Sequence, residues 1–256
     1  MKKYRFLFAA MLLVALSFGF VSCDDKTGNE PDDPSGEGTE TPAPDPYNGH
    51  AYVDLGLLSG LKWATCNVGA DSIHHCGDYF AWGEVEPKET YTEENYKFGN
   101  HEDFTVLTKY TVDDGNTDYS WYDGEGNFIG DNKRVLDDED DAAVVNMGGV
   151  WRMPTHIEYM ELIEGCVWKD TTINGMPGYE GKSKSNGNTI FFPLADYGGS
   201  GGIYADRENA YYWAKTLGNY SWGAYNFNPY EEVDIDNDIY YAEDRYYGQS
   251  VRGVCR

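Results

Sequence analysis

Positive charge is what this chain has least of. Its 256 residues hold 19 Lys plus Arg against 44 Asp plus Glu, a formal net charge of −25. Binding to a phosphate backbone needs clustered cations that displace counterions, so nucleic acid is excluded as a partner. Long apolar runs are also missing. The longest, Phe6–Val21, has 16 residues and falls short of the roughly 18 or more expected of a spanning helix. No serine reads as a nucleophile elbow, and there is no Gly-rich phosphate loop or His-rich metal helix. Catalysis is therefore not expected. Disorder is excluded for most of the chain, because 41% of residues are hydrophobic and there are 22 Tyr and 7 Trp. Thirty Gly argue for many turns and few long helices.

The first 46 residues lie outside the expected fold. Lys2, Lys3 and Arg5 precede the apolar run, the order of an export signal. Residues 1–22 are read as that signal. It ends in Phe20-Val21-Ser22-Cys23, similar to a bacterial lipobox, with Phe20 where Leu is usual. Cys23 would then be lipidated, and this N-terminal lipid is the only membrane contact expected. Residues 23–46 form a tether. From Asp24 to Pro46 it holds eight acids, five Pro and one Lys, with no apolar side chain larger than Ala. It cannot bury enough area to offset ordering entropy and should be extended and self-repelling. Acids directly after Cys23 resemble the surface-export signal of some Gram-negative lipoproteins. An outer-membrane lipoprotein exposed at the cell surface is the expectation.

Residues 47–256 are long enough for one domain with a sizeable core. Ala51–Leu55, Leu61–Cys66 and Gly77–Trp82 read as strands. Residues 85–135 are polar, aperiodic and read as a long excursion with little regular structure. Asp138 to Asp141 supply acids for the first turn of a helix over Ala142–Asn146, with Gly148 as its stop. Thr155 and Glu158 have capping-box spacing, and Tyr159, Leu162, Ile163 and Cys166 follow as one buried stripe ending near Gly165. Asn174-Gly175 and Asn186-Gly187 are hairpin dipeptides. Thr189–Leu194, Tyr211–Leu217, Ala224–Asn228 and Gln249–Cys255 read as strands, with Tyr211, Trp213 and Leu217 alternating toward the core. The fold class is α+β: two helices packed on small antiparallel sheets joined by long loops.

Five stretches in order resemble the Fibrobacter succinogenes major paralogous domain family. They are Gly56–Ala70 (GLLSGLKWATCNVGA), Gly77–Glu84 (GDYFAWGE), Asp141-Ala142-Ala143, Trp151–Thr155 (WRMPT) and Tyr247–Arg252 (YGQSVR). The resemblance implies a C-type-lectin-like fold, related to the formylglycine-generating-enzyme group and similar to the scaffold of retroelement-diversified variable proteins. It implies an exported, non-catalytic binding module. Leu58 and Gly253 stand where the family usually has Pro, and Lys215 where small hydroxyl residues are common, near the implied binding face. The reactive Cys pair of the formylglycine-generating enzymes is not matched, since only Cys255 lies near the end. With Cys23 lipidated, Cys66, Cys76, Cys166 and Cys255 remain, an even number that in an exported domain suggests two disulfides. Cys66–Cys76 and Cys166–Cys255 are the favoured pairs. The second would tie the helix to the last strand, as lectin-like folds often do.

Metal signals are thin. His74-His75-Cys76 with Asp78 is at most half a zinc site, because adjacent His side chains rarely reach one ion, and reads better as a polar loop. Asp234, Asp236 and Asp238 alternate as a calcium loop would. However, Ile239 and Arg245 stand where an EF-hand needs Gly and Glu. No cofactor is expected, and calcium is the one ion such a loop would take. The pairs Glu84/Glu86, Glu93/Glu94 and Glu158/Glu161 would suit glycoside hydrolysis only if two carboxyls flanked a cleft.

Tyr204 to Tyr247 holds ten Tyr, five Asn and five Asp, a composition like that of an antibody paratope, which also suits a sugar. The candidate ligand-binding residues are Tyr220, Trp222, Tyr225, Asn226, Asn228, Tyr230, Asp236, Asn237, Tyr240 and Tyr241, read as surface-facing. The expected task is binding of a glycan or protein ligand through these C-terminal loops, for adhesion or recognition. A subunit of a surface or fimbrial assembly and an extracellular carbohydrate hydrolase are the alternatives.

Overall fold

The computed structural model describes residues 45, 47–99, 105–229 and 242–256. They form an α+β domain with two α-helices and thirteen short strands in four sheets. In chain order the strands before the helices are β1 (Tyr52–Asp54), β2 (Lys62–Asn67) and β3 (Tyr79–Phe80). The helices α1 (Ala142–Met147) and α2 (His156–Gly165) follow. Then come β4 (Cys166–Ile173), β5 (Met176–Ser183), β6 (Thr189–Pro193), β7 (Gly198–Gly199), β8 (Gly202–Ile203) and β9 (Tyr212–Leu217). The last are β10 (Gly223–Phe227), β11 (Ala242–Asp244), β12 (Gln249–Ser250) and β13 (Arg252–Cys255). The sheet orders are β1-β2-β13, β11-β10-β9-β12-β3, β4-β5-β6 and β7-β8. The pairing of β12 with β9 is parallel; the other described strand pairs are antiparallel. No helix among the described residues is long and apolar enough to cross a membrane.

Local chemistry explains most elements. Asn174 and Gly175 both take positive φ, 49° and 83°, the conformation of a two-residue hairpin turn. They join β4 to β5 with Ile173 opposite Met176. Thr155 caps α2: its hydroxyl accepts from the Glu158 N–H at 3.3 Å, and the Glu158 carboxylate accepts from the Thr155 N–H at 2.8 Å. Arg152 then grips both Glu158 oxygens at 2.6 and 2.7 Å. Tyr159 and Leu162 face the core as the spacing predicts, and the Tyr159 ring stacks on Phe227 of β10 at 4.7 Å.

The acids before α1 behave differently from expectation. Asp138–Asp140 make a separate 3₁₀ turn, and Asp141, in extended conformation, is the N-cap. Its Oδ1 accepts from the N–H groups of Ala143 and Val144 at 3.0 and 3.1 Å, which satisfies two of the helix's orphan donors. Strand β9 is buried on both faces, so Tyr212 and Trp213 are both core residues and the expected alternation is absent.

The core unites the sheets. Trp63, Trp82, Trp151, Trp213, Phe80, Phe192, Tyr212 and Phe227 are fully buried, each contributing about 1.5–3 kcal/mol by burial. The described residues of the excursion, 85–99 and 105–135, have little regular structure, as expected, yet they are not loose. Tyr91, Tyr96, Phe98, Tyr110, Val112 and Trp121 are part of the core. Arg245, itself fully buried, fastens it. The guanidinium carbon lies 4.8–5.9 Å from the ring centres of Trp82, Tyr96, Phe98 and Tyr110. Its nitrogens donate to Tyr96 Oη (2.8 Å) and to the carbonyls of Tyr110 (3.2 Å), Ser221 (2.8 Å) and Lys109 (3.1 Å). Arg252, also buried, donates to Asn67 Oδ1 and to the carbonyls of Ala64, Thr65 and Phe191 at 2.8–3.1 Å. These carbonyls belong to two sheets, so this motif residue is a structural clasp.

Two further expectations are corrected. All four cysteines are unbridged, so neither Cys66–Cys76 nor Cys166–Cys255 is bonded. Instead, the Cys76 sulfur receives a hydrogen bond from Arg207 at 3.1 Å. Burial raises the Cys166 thiol to about 11 and raises Cys255 too, so both stay protonated in apolar surroundings. Lys215 does not shape an open surface. It is buried and its Nζ lies 3.1 Å from Asp141 Oδ2.

Candidate functional site

Among the described residues a cleft of about 640 Å³ is walled by tyrosines. Its lining includes Tyr91, Tyr197, Tyr204, Tyr246 and Tyr247, together with Glu93, Glu94 and Ser200. Tyr197 and Tyr247 also border a second hollow of about 180 Å³, completed by Tyr211, Glu243 and Gln249. Ring centres stand 4.9 Å apart for Tyr197–Tyr204, 5.2 Å for Tyr197–Tyr247 and 4.4 Å for Tyr246–Tyr247. These are ordinary aromatic-pair distances, so the walls are mutually supported rings.

The floor is built on Tyr91. Its hydroxyl donates to the Tyr79 carbonyl and accepts from the Lys88 N–H at 3.0 Å. Its own N–H donates to the Gly199 carbonyl at 3.0 Å. Gly198 and Gly248 pair by two backbone hydrogen bonds of 2.7 and 3.0 Å over the ring. A methyl group added to either would sit 2.5 or 2.6 Å from Tyr91 carbons. Only glycine lets β7 and the segment before β12 approach so closely. Glu93 and Glu94 enter from the 3₁₀ turn Glu93–Asn95, Tyr204 follows β8, and Tyr246 and Tyr247 follow β11.

The titratable side chains among the described residues lining the two hollows are acids and phenols. No lysine, arginine or histidine among the described residues lines either hollow. Burial raises the Tyr197 phenol, and neighbouring tyrosines with Glu243 and Asp196 push the same way. Burial likewise raises Tyr246, with Tyr247, Asp244 and Glu93 adding to it. Asp244 is raised by burial, partly offset by a hydrogen bond from Tyr246. The Tyr197 and Tyr246 phenols are therefore neutral O–H donors. Gln249, 1% exposed, holds an Oε1 with no hydrogen-bond partner.

The sequence-derived candidates divide three ways. Tyr220 is 54% exposed and stacks on half-buried Trp222 at 5.6 Å with planes 4° apart, an outward aromatic platform apart from the cleft lining. Tyr225 and Asn228 are buried, contrary to expectation. The Tyr225 ring lies 4.5 Å from His156 of α2 and its hydroxyl donates to Asn219 Oδ1 at 2.8 Å. Asn226 is half-buried, with both amide atoms enclosed and lacking a hydrogen-bond partner. Tyr230, Asp236, Asn237, Tyr240, Tyr241, the calcium candidates Asp234 and Asp238, and Cys23 lie outside the described residues. Of the Tyr204–Tyr247 stretch, the cleft uses Tyr204, Tyr211, Glu243, Tyr246 and Tyr247. Tyr91 and Tyr197 come from elsewhere in the chain, and no local pattern marks them.

The other chemical candidates resolve into structural pairs. His74 Nδ1 faces Ser72 Oγ and His75 Nδ1 faces Asp71, each at 2.6 Å, so the two rings do not share a target. Glu84 pairs with Lys88, Glu158 with Arg152, and Glu161 accepts from the Ser59 N–H. Asp137, Glu139 and Asp140 bring their oxygens close enough to share an ion. Lysines already compensate them. Asp140 meets Lys97 at 2.6 Å and Lys109 at 2.5 Å, and Asp137 meets Lys109 and Lys133 at 2.8 and 2.6 Å. Gly198–Gly202 has the Gly-x-Ser-x-Gly spacing around Ser200. It forms the β7–β8 turn rather than a strand-to-helix elbow, and no histidine among the described residues lines the cleft to activate it. Compared with family models, curated proteins and solved structures, the chain gives no significant match.

Proposed function

We propose that this chain is an exported, lipid-anchored binding protein that holds a glycan in the tyrosine cleft without transforming it. The observation that carries this reading is the cleft itself: Tyr91 and four mutually braced tyrosines around about 640 Å³, with Glu93 and Glu94 in the lining. Sugars present C–H faces to aromatic rings and hydroxyls to carboxylates and phenols. The volume falls in the roughly 300–1,000 Å³ range of small-ligand sites. A hydrolase would need carboxyls across the gap. Glu93 and Glu94 instead share one three-residue turn, which favours binding over hydrolysis.

The wider reading has independent support. The basic start, apolar run and Cys23 fit a lipoprotein signal, and the acidic tether fits a spacer. Two helices beside small antiparallel sheets, with a long core-packed excursion, suit a C-type-lectin-like domain of the resembled family. The test is a glycan array followed by calorimetry on residues 24–256, with Tyr204→Ala and Trp222→Ala compared. Tyr204→Ala should weaken binding at least tenfold while Trp222→Ala leaves it intact. The opposite pattern would move the site to the Tyr220–Trp222 platform. Absence of any glycan signal from folded protein would refute the reading.

A further inference from the structure

We infer that the ligand is an uncharged oligosaccharide of at least two rings, one seated in the Glu243–Gln249 hollow, and that acidic glycans are refused. This rests on the glycan reading above and adds length, charge and register to it. The two hollows share Tyr197 and Tyr247 as a common wall. At about 180 Å³ the second lies below the roughly 300 Å³ that a complete small-ligand site needs. It is an annex of the large cleft, sized for one ring or substituent of a longer molecule lying over Tyr197 and Tyr247.

The annex asks for a hydroxyl. Gln249 is held in β12 by pairing with Phe80 of β3, and its Oε1 is enclosed and lacks a partner. An unmade hydrogen bond of this kind is costly, so any O–H donor delivered there is favoured. The atom is closed off from solvent, so a ligand reaches it as side chains bordering the annex change rotamer, a common adjustment on binding. Glu243 beside it is a second acceptor. A sugar hydroxyl satisfies such groups, whereas a carboxylate or sulfate offers only further acceptors. The large cleft repeats the preference with Glu93 and Glu94. No lysine, arginine or histidine among the described residues lines either hollow, whereas Glu93, Glu94 and Glu243 do, so an anionic sugar meets an excess of like charge there.

The experiment is titration calorimetry of residues 24–256 with xylose, glucose and mannose, their neutral oligomers of two to six units, and oligogalacturonate. Binding should tighten tenfold or more from monosaccharide to oligomer in at least one neutral series, with oligogalacturonate silent. Gln249→Met should weaken the oligomer at least fivefold and leave the monosaccharide unchanged. Should that buried variant fail to fold, Glu243→Gln provides the second arm. It should weaken the neutral oligomer measurably, because Glu243 is the second acceptor of the annex, and should admit oligogalacturonate. Equal or tighter binding of oligogalacturonate by the unaltered chain would overturn the charge rule. Length-independent affinity, or neutral binding indifferent to both substitutions, would overturn the annex. Silence toward every sugar tested and across the glycan array would instead refute the glycan reading beneath it.

Discussion

Replacing Asp141 with alanine tests how the domain holds its helices. The residue is fully buried and its carboxylate does three jobs. Oδ1 caps α1 through Ala143 and Val144, both oxygens accept from the Met153 N–H at 3.0 Å, and Oδ2 meets Lys215 at 3.1 Å. Losing the cap costs about 1 kcal/mol. Leaving Lys215 buried without its partner costs about 3–5 kcal/mol. The expected total is about 4–6 kcal/mol, a large part of the roughly 5–15 kcal/mol that stabilises a domain. For a domain of this size each kcal/mol moves Tm by about 2–4 °C, so Asp141→Ala should melt about 8–24 °C lower by circular dichroism. Lys215→Met should cost less, because the three backbone N–H groups still satisfy Asp141. The double variant Asp141→Ala/Lys215→Met should be more stable than the sum of the singles by about 2 kcal/mol or more, the mark of a coupled pair. A Tm change under about 3 °C for Asp141→Ala, or strict additivity in the double variant, would refute this account.

Two other outcomes follow from buried cations and a buried imidazole. Arg245→Lys should destabilise by about 3 kcal/mol, because one ammonium cannot reach a phenol and three carbonyls as the guanidinium fork does; hydrogen exchange in 85–135 should quicken, and unchanged exchange there would remove the clasp role. Burial holds His156 below its usual 6.5, so the unfolded chain binds a proton that the folded chain refuses. Stability is complete above about pH 6.5 and falls as pH drops through the lowered folded value. His156→Gln should flatten urea-unfolding stability between pH 7 and 5, and an unchanged slope would assign that loss to other groups.

What the sequence made legible was local. Thr155 and Glu158 announce a capping box because the motif is complete within four residues, and Asn174-Gly175 announces a turn because few other pairs accept positive φ twice. The β4–β5 strands around that turn were not legible. Their burial alternates unevenly and their residues include Lys169, Asp170, Pro177 and Gly181, which carry little strand signal. The cleft was half legible for a similar reason. Tyrosine density marks Tyr204 to Tyr247 as unusual, but whether a ring faces out depends on partners far along the chain. Tyr225 turns inward because His156 of α2 lies beneath it. Tyr91 becomes a floor only because Gly198 and Gly248, more than a hundred residues later, leave room for it.

The charge balance then takes on a structural meaning. Of the fifteen cationic side chains between residues 47 and 256, Arg245, Arg252 and Lys215 are buried. Arg152, Lys88, Lys97, Lys109, Lys133 and Lys169 are paired with carboxylates. Arg245 and Arg252 reach backbone carbonyls of separate segments, and Lys215 meets the buried Asp141 carboxylate. Nine cations are thereby committed to holding the fold, against 36 acids in the same stretch. An excess of negative charge at the surface is the consequence, and the cleft inherits it. The preference proposed above for an uncharged guest then has two sources: this surplus, set by how the core is clasped, and the Glu243 carboxylate beside Gln249.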